Sequence, residues 1–121
     1  LSIAAFYNAT ILRIDTPTGV STGGDMTWTN GSTVAVRCQV TSPMNQQRQE
    51  IAAAQLDVSA MIYIPFAIAA AAGVALNGAR LLVKLDGETT SLTYLVRRVG
   101  KAIKDGIGGA LSHVYLFVKS A

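Results

Sequence analysis

Hydrophobic and polar positions alternate along most of this chain, and that period of two predicts strands. In "TVAVRCQV", Val34, Val36, Cys38 and Val40 point one way while Ala35, Arg37 and Gln39 point the other. In "LDVSAMIYI", Leu56, Val58, Ala60, Ile62 and Ile64 share a face opposite Asp57, Ser59, Met61 and Tyr63. In "RLLVKL", Leu81, Val83 and Leu85 oppose Arg80, Leu82 and Lys84. "LTYLVRRV" and "ALSHVYLFV" read as strands apolar on both faces, and "YNATILRID" as a strand near the start. Strands of that two-sided kind suit a closed barrel that also packs on neighbours.

Turn dipeptides fall between these runs. Asn30-Gly31 separates "MTWT" from "STVAV", Asn77-Gly78 precedes Arg80, and Asp86-Gly87 follows Leu85. Each supplies the positive φ angles of tight turns. Residues 16–25, "TPTGVSTGGD", and 100–109, "GKAIKDGIGG", read as long loops. A helix is expected over 43–55, with Ser42 as N-cap and Pro43 in the first turn. Its apolar face is thin: Met44, Ile51, Ala52 and Leu56. The expected fold is mainly β, a small antiparallel β-barrel with one short helix and long loops. It forms a single domain over 1–121, in which 1–30 is an N-terminal strand and flexible loop.

Composition sharpens the picture. Half of the residues are hydrophobic and 14% are charged, below the usual quarter. A domain of 121 residues has little interior for so much apolar surface, so part of it is expected to meet a partner. The run Ala60–Leu76 carries no charge. Pro65 interrupts it and its first half alternates, so a membrane span is not expected there. Residues 67–72 are expected to be an apolar loop or short helix, and Phe66, Ile68, Val74 and Leu76 to lie in a subunit interface. The net charge of +3 permits contact with nucleic acid without identifying it.

Candidate chemistry is sparse. Cys38 alternates with valines and reads as a buried small hydrophobe. His113, the only histidine, lies inside an apolar strand. One Cys and one His cannot complete a tetrahedral zinc site. Asp86 and Glu88 flank a turn glycine, where solvated carboxylates are normal. Asn8-Ala9-Thr10 and Asn30-Gly31-Ser32 match the glycosylation pattern by chance. Arg97, Arg98, Lys101 and Lys104 form the densest positive charge, read either as a solvated basic loop or as one that contacts a partner or DNA. No catalytic constellation emerges and no cofactor is expected.

From about Val36 to residue 119, the order of features resembles the head-closure, or stopper, proteins of the tailed-bacteriophage neck. The matching pattern is a strand ("VAVRCQV"), a polar segment ("NQQRQEIAAAQ") and a long alternating strand ("LDVSAMIYIP"). An apolar stretch, a strand ending in Asp-Gly ("ARLLVKLDG"), a Tyr-x-Val strand ("YLVRRV") and a closing strand with His ("LSHVYLFV") follow. Residues 1–30 and the uncharged run 66–76 depart from it. The resemblance implies a structural virion protein that assembles in the host cytoplasm as a homo-oligomeric ring, a hexamer or dodecamer. Portal and adaptor proteins would lie on one side, tail terminator or tube proteins on the other, and packaged DNA in the channel, with no membrane involved. It further implies that the polar segment lines the channel, with Asn45, Gln46, Gln47, Arg48 and Gln49 nearest DNA. A tail terminator, a capsid decoration protein and a phosphate- or nucleic-acid-binding barrel are the rival readings.

Overall fold

A computed structural model describes residues 6–20, 23–24, 26–72, 76–104 and 111–120. Seven strands and two helices follow in the order β1 (Ala9–Val20), β2 (Met26–Thr29), β3 (Thr33–Thr41), α1 (Asn45–Ala54), β4 (Ala60–Pro65), α2 (Phe66–Ala72), β5 (Arg80–Leu85), β6 (Leu92–Lys104) and β7 (Leu111–Ser120). The strands run β1-β3-β4-β7-β6-β5, and β5 pairs back onto β1. Every pairing is antiparallel. The result is the expected barrel, closed with six strands. It consists of two three-stranded meanders, β1-β3-β4 and β5-β6-β7, joined along a β4–β7 seam and a β1–β5 seam.

The interior is built by alternation. Ala9, Ile11, Cys38, Ile62, Ile64, Leu81, Val83, Tyr94, Val96, Val114, Leu116 and Val118 meet there, with Leu76 and Ala79. Val34, Val36 and Val40 pack against them, as their shared face predicts. β1 changes parity on the way. Its register shifts between Ile11 and Arg13, so Ile11 and Ile14 both face inward while Arg13 and Asp15 face outward.

A second apolar cluster lies outside the barrel wall. Met61, Tyr63 and Phe117 are buried there, with Ile51, Leu56, Val58, Ile103 and Tyr115 packed around them. The register Met61↔Phe117 and Tyr63↔Tyr115 makes these direct cross-strand neighbours. β4 and β7 are therefore buried on both faces. Much of the apolar surplus read from composition is housed here, within one chain. Burying side chains such as Phe117 and Met61 stabilises by roughly 1.5–3 kcal/mol each.

Several expectations change. Leu56 and Val58 join the outer cluster, not the face of Ile62, because the strand starts only at Ala60. Residues 16–25 are largely a hairpin arm: β1 continues to Val20 and pairs with β2 through Thr16↔Thr29 and Val20↔Met26. Asn30-Gly31 is not a hairpin turn, since β2 and β3 both pair with β1 at nearly continuous registers. Residues 100–104 belong to β6, so the basic residues stand on a strand and not a loop. There are also two helices, α2 being the apolar stretch after Pro65. No helix among the described residues is long and apolar enough to cross a membrane.

The N-cap of α1 is Met44, not Ser42. Its first turn is closed by Gln47 Oε1, which accepts the Met44 N–H at 2.9 Å. Its end is a Schellman turn. The Leu56 N–H reaches the Ile51 carbonyl and the Gln55 N–H the Ala52 carbonyl, with Gln55 at φ 53°. Ile51 and Leu56 both belong to the outer cluster, the apolar pairing this turn favours. The left-handed position usually holds glycine. Gln55→Gly is expected to raise stability by about 0.5–1 kcal/mol in urea denaturation, and a loss of stability would contradict this reading. Gly31→Ala should do the reverse. A Cβ there would lie 2.0 Å from the Ile14 carbonyl oxygen, so the backbone must move, at a cost of about 1–3 kcal/mol.

Candidate functional site

The sequence nominated α1, and the helix divides its polar residues sharply. Asn45, Gln46, Arg48 and Gln49 are exposed. Gln47 is buried, 7% exposed, and its Nε2 donates to the Tyr63 hydroxyl at 2.7 Å. With its Oε1 on the Met44 N–H, one amide fastens the helix start to the barrel wall. Gln47 therefore leaves the channel-facing set. The signal was present in the sequence, because Gln47 stands four residues before Ile51 and shares its face. The Arg48 side chain turns back, Nε donating to the Pro43 carbonyl at 3.1 Å.

The expected interface set also divides. Leu76 is 1% exposed inside the barrel core and is closed to a second copy. Phe66 packs on the same core from α2, and Ile68 is half-buried. Val74 lies outside the described residues. On α2, Ala67, Ala70 and Ala71 are exposed. Of the loop glycines, those between 105 and 110 also lie outside the described residues.

Arg97, Arg98, Lys101 and Lys104 are all exposed on β6. None makes an ion pair among the described residues. Arg98 lies over the Phe117 ring, 6.0 Å from its centroid. Gly100 stands in a register shift, and Tyr115 covers it so closely that a Cβ would meet the ring at 2.1 Å. β6 also borders a groove of about 530 Å³ lined by Met26, Trp28, Gly78, Leu95, Val96 and Arg97.

The most constrained polar site was not anticipated. Asp15 is fully buried where the β1–β2 arm leaves the barrel. Its Oδ1 accepts the Gly31 N–H at 2.9 Å and Arg13 Nε at 2.8 Å. Its Oδ2 accepts Arg80 Nε at 2.8 Å and the Arg13 terminal nitrogen at 3.2 Å. Arg80 also donates to Asn30 and lies 4.9 Å from the centre of the Trp28 ring. Trp28 Nε1 donates to the Gly78 carbonyl at 2.9 Å. Burial pushes the Asp15 pKa up, but the Gly31 N–H, Arg80 and Arg13 outweigh it and hold the carboxyl below its ordinary value. The local sequence offers Asp15 only Arg13, two residues away on β1; Gly31 and Arg80 arrive from distant segments.

The remaining reactive groups are quiet. Cys38 is buried and its thiol is pushed up to about 12, chiefly by loss of solvation. The His113 ring contacts the Tyr7 hydroxyl at 2.5 Å through Nε2 and Ser112 Oγ at 2.9 Å through Nδ1. Ser112 Oγ donates onward to the Ile103 carbonyl of β6 at 3.3 Å, while the Tyr7 contact ties the segment before β1 to β7. Asp86 is chelated by Arg37 at 2.7 and 2.8 Å, and that pairing lowers its pKa. No cluster of three or more His, Cys, Asp or Glu residues suited to a metal occurs among the described residues. No family model, curated protein or solved structure matches the chain.

Asp15 yields a signed pH prediction. Its folded pKa is depressed, so its contribution is present above the unfolded value near 3.9 and lost as pH falls through the folded one. Stability should therefore decline below about pH 4, and Asp15→Asn should flatten that decline. At neutral pH the variant should lose roughly 3 kcal/mol, the low end for an orphaned ion pair. Arg13 and Arg80 keep 32% and 28% exposure and can be partly hydrated. Denaturant midpoints from pH 3 to 7 would check both, and an unchanged acid slope in the variant would refute the assignment. Cys38 should react with iodoacetamide only when the barrel opens, so alkylation in native buffer should be slow and rise steeply with urea.

Proposed function

We propose that this protein is a structural component of a phage neck, a head-closure protein whose copies form a ring. The observation that carries the reading is the placement of α1. It stands between β3 and β4, presents Asn45, Gln46, Arg48 and Gln49 to solvent, and is fastened by Gln47 and a small apolar face. A segment held by so few contacts can shift while the barrel stays rigid. Amides at the rim of a channel hydrogen-bond to other copies or to phosphate without the strong field that would retain DNA during ejection. Symmetry then multiplies a weak closure around the ring. The resemblance of the sequence from about Val36 to residue 119 to neck proteins is the second support for the reading. In this reading the cofactor-free barrel meets portal or adaptor proteins on one side and tail proteins on the other.

The test separates gate from anchor. Replacing Asn45, Gln46, Arg48 and Gln49 with Ala should change stability little, by about 0.5 kcal/mol or less per site. Filled, tailless heads carrying this variant should lose DNA. Gln47→Ala should instead destabilise the fold by about 1–3 kcal/mol, because it leaves the Tyr63 hydroxyl without its partner. Genome retention is scored in heads with and without tails. Full retention by the four-site variant would remove the gate, and a protein that remains monomeric beside portal-bearing heads would remove the neck reading itself.

A further inference from the structure

β6 is longer than its neighbour. Leu92–Leu95 pair with β5, and the contact ends where Val96 N–H meets the Ala79 carbonyl at 2.8 Å and the Gly78 N–H meets the Val96 carbonyl at 3.1 Å. From Arg97 to Lys104 the strand pairs with β7 alone among the described residues. Among the described residues one side of the strand therefore stays unpaired over about 27 Å, its row of donors and acceptors stepped by register shifts after Val96, Val99 and Ile103. That edge starts in the groove bounded on its far side by Met26 and Trp28 of the arm.

Three properties of this edge point to one kind of occupant. The open row of peptide groups is satisfied by another extended backbone. Trp28, Met26 and Leu95 offer an apolar lining for alternate side chains at one end. Arg97, Arg98, Lys101 and Lys104 supply four cations with no ion pair among the described residues, and β6 carries no acidic residue. The nearby carboxylate that Arg97 influences, Asp57, is already taken by Lys119. Charges and bulges also guard edges against unwanted pairing. A guard, however, needs no aromatic-lined groove beside it.

We infer that the open edge of β6 is a strand-addition site for an extended acidic segment of a partner protein. The added strand hydrogen-bonds to the Arg97–Lys104 backbone. Its carboxylates meet Arg97, Lys101 and Lys104, and an apolar residue enters the groove against Trp28. The inference rests on the edge and its charges, and it stands whether or not copies of the chain form a ring.

Trp28 is the only tryptophan, so its emission reports occupancy of the groove. The probe is a blocked peptide of about eight residues, alternating Glu and Val, matched to the length of the open edge. Saturable change in Trp28 emission is expected. The affinity should fall about tenfold in Lys101→Glu/Lys104→Glu, and Lys101→Gln/Lys104→Gln serves if charge reversal disturbs the fold. A peptide N-methylated at alternate residues should not bind, since it cannot form the ladder. Absence of saturable binding would overturn the inference and leave the cations as edge guards. Equal binding of the N-methylated peptide would overturn it too, reducing the effect to charge. Emission that responds to duplex DNA and not to the peptide would give the edge to nucleic acid. Self-association abolished by Lys101→Glu/Lys104→Glu, without peptide binding, would give it to a second copy.

Discussion

The buried carboxylate of Asp15 gathers three segments that are distant in sequence. The Gly31 N–H arrives from the link between β2 and β3, Arg13 from β1, and Arg80 from the start of β5. β1 closes the barrel against β5 at this level, and the arm departs beyond it. A charged group without solvent would be expensive anywhere in a small protein, and here every acceptor position is used. The fit leaves no slack: the close approach of residue 31 to the Ile14 carbonyl requires glycine. The β1 register shift belongs to the same arrangement, since without it Asp15 would point into the apolar interior.

The two-sided burial of β4 and β7 revises how the composition is understood. A chain with half its residues hydrophobic reads as one with surface to spare for partners. In this fold the wall at the β4–β7 seam is sandwiched, with the barrel interior on one side and the outer cluster under α1 on the other. Among the described residues, the large apolar side chains that remain exposed, Phe6, Met26, Met44 and Leu92, are dispersed along the chain. Only Met26 borders the groove beside β6. Assembly surfaces in such a protein are then better sought at open backbone and unpaired charge than at grease.

Much of the fold was legible because alternation is a local property. Val34, Val36 and Cys38, like Leu81 and Val83, declare a common face from sequence alone, and the polar helix at 45–54 follows from its composition. Legibility failed wherever a distant contact overrode local preference. Thr16, Pro17 and Gly19 look like loop residues, yet they pair with β2 across a register shift. Gly100 looks like a break, yet Tyr115 from the next strand covers it and β6 runs on. Leu56 and Val58 keep the alternation of β4 but precede its start, since the left-handed turn at Gln55 redirects the chain. Of the nominated site, the exposed α1 amides and the β6 cations keep their exposure. Gln47 and Leu76 do not, because burial depends on what the fold stacks above them.

The barrel's two meanders are also the two halves of the chain, residues 9–65 and 80–120, and that has a kinetic consequence. Hairpins within a half form between segments close in sequence. The seams pair Ala9 with Leu85 and Ala60 with Val118, separations of more than fifty residues. Loop closure over such distances is slow compared with hairpin formation. During synthesis the first half emerges with its future seam strands, β1 and β4, uncovered along the edges that later meet β5 and β7. Until the second half follows, those edges and the apolar faces of β3 and β4 are open to any other nascent copy. A chain of this topology is most exposed to misassembly after its first half has emerged from the ribosome and before its second half has, and slower emergence of β5 to β7 lengthens that interval.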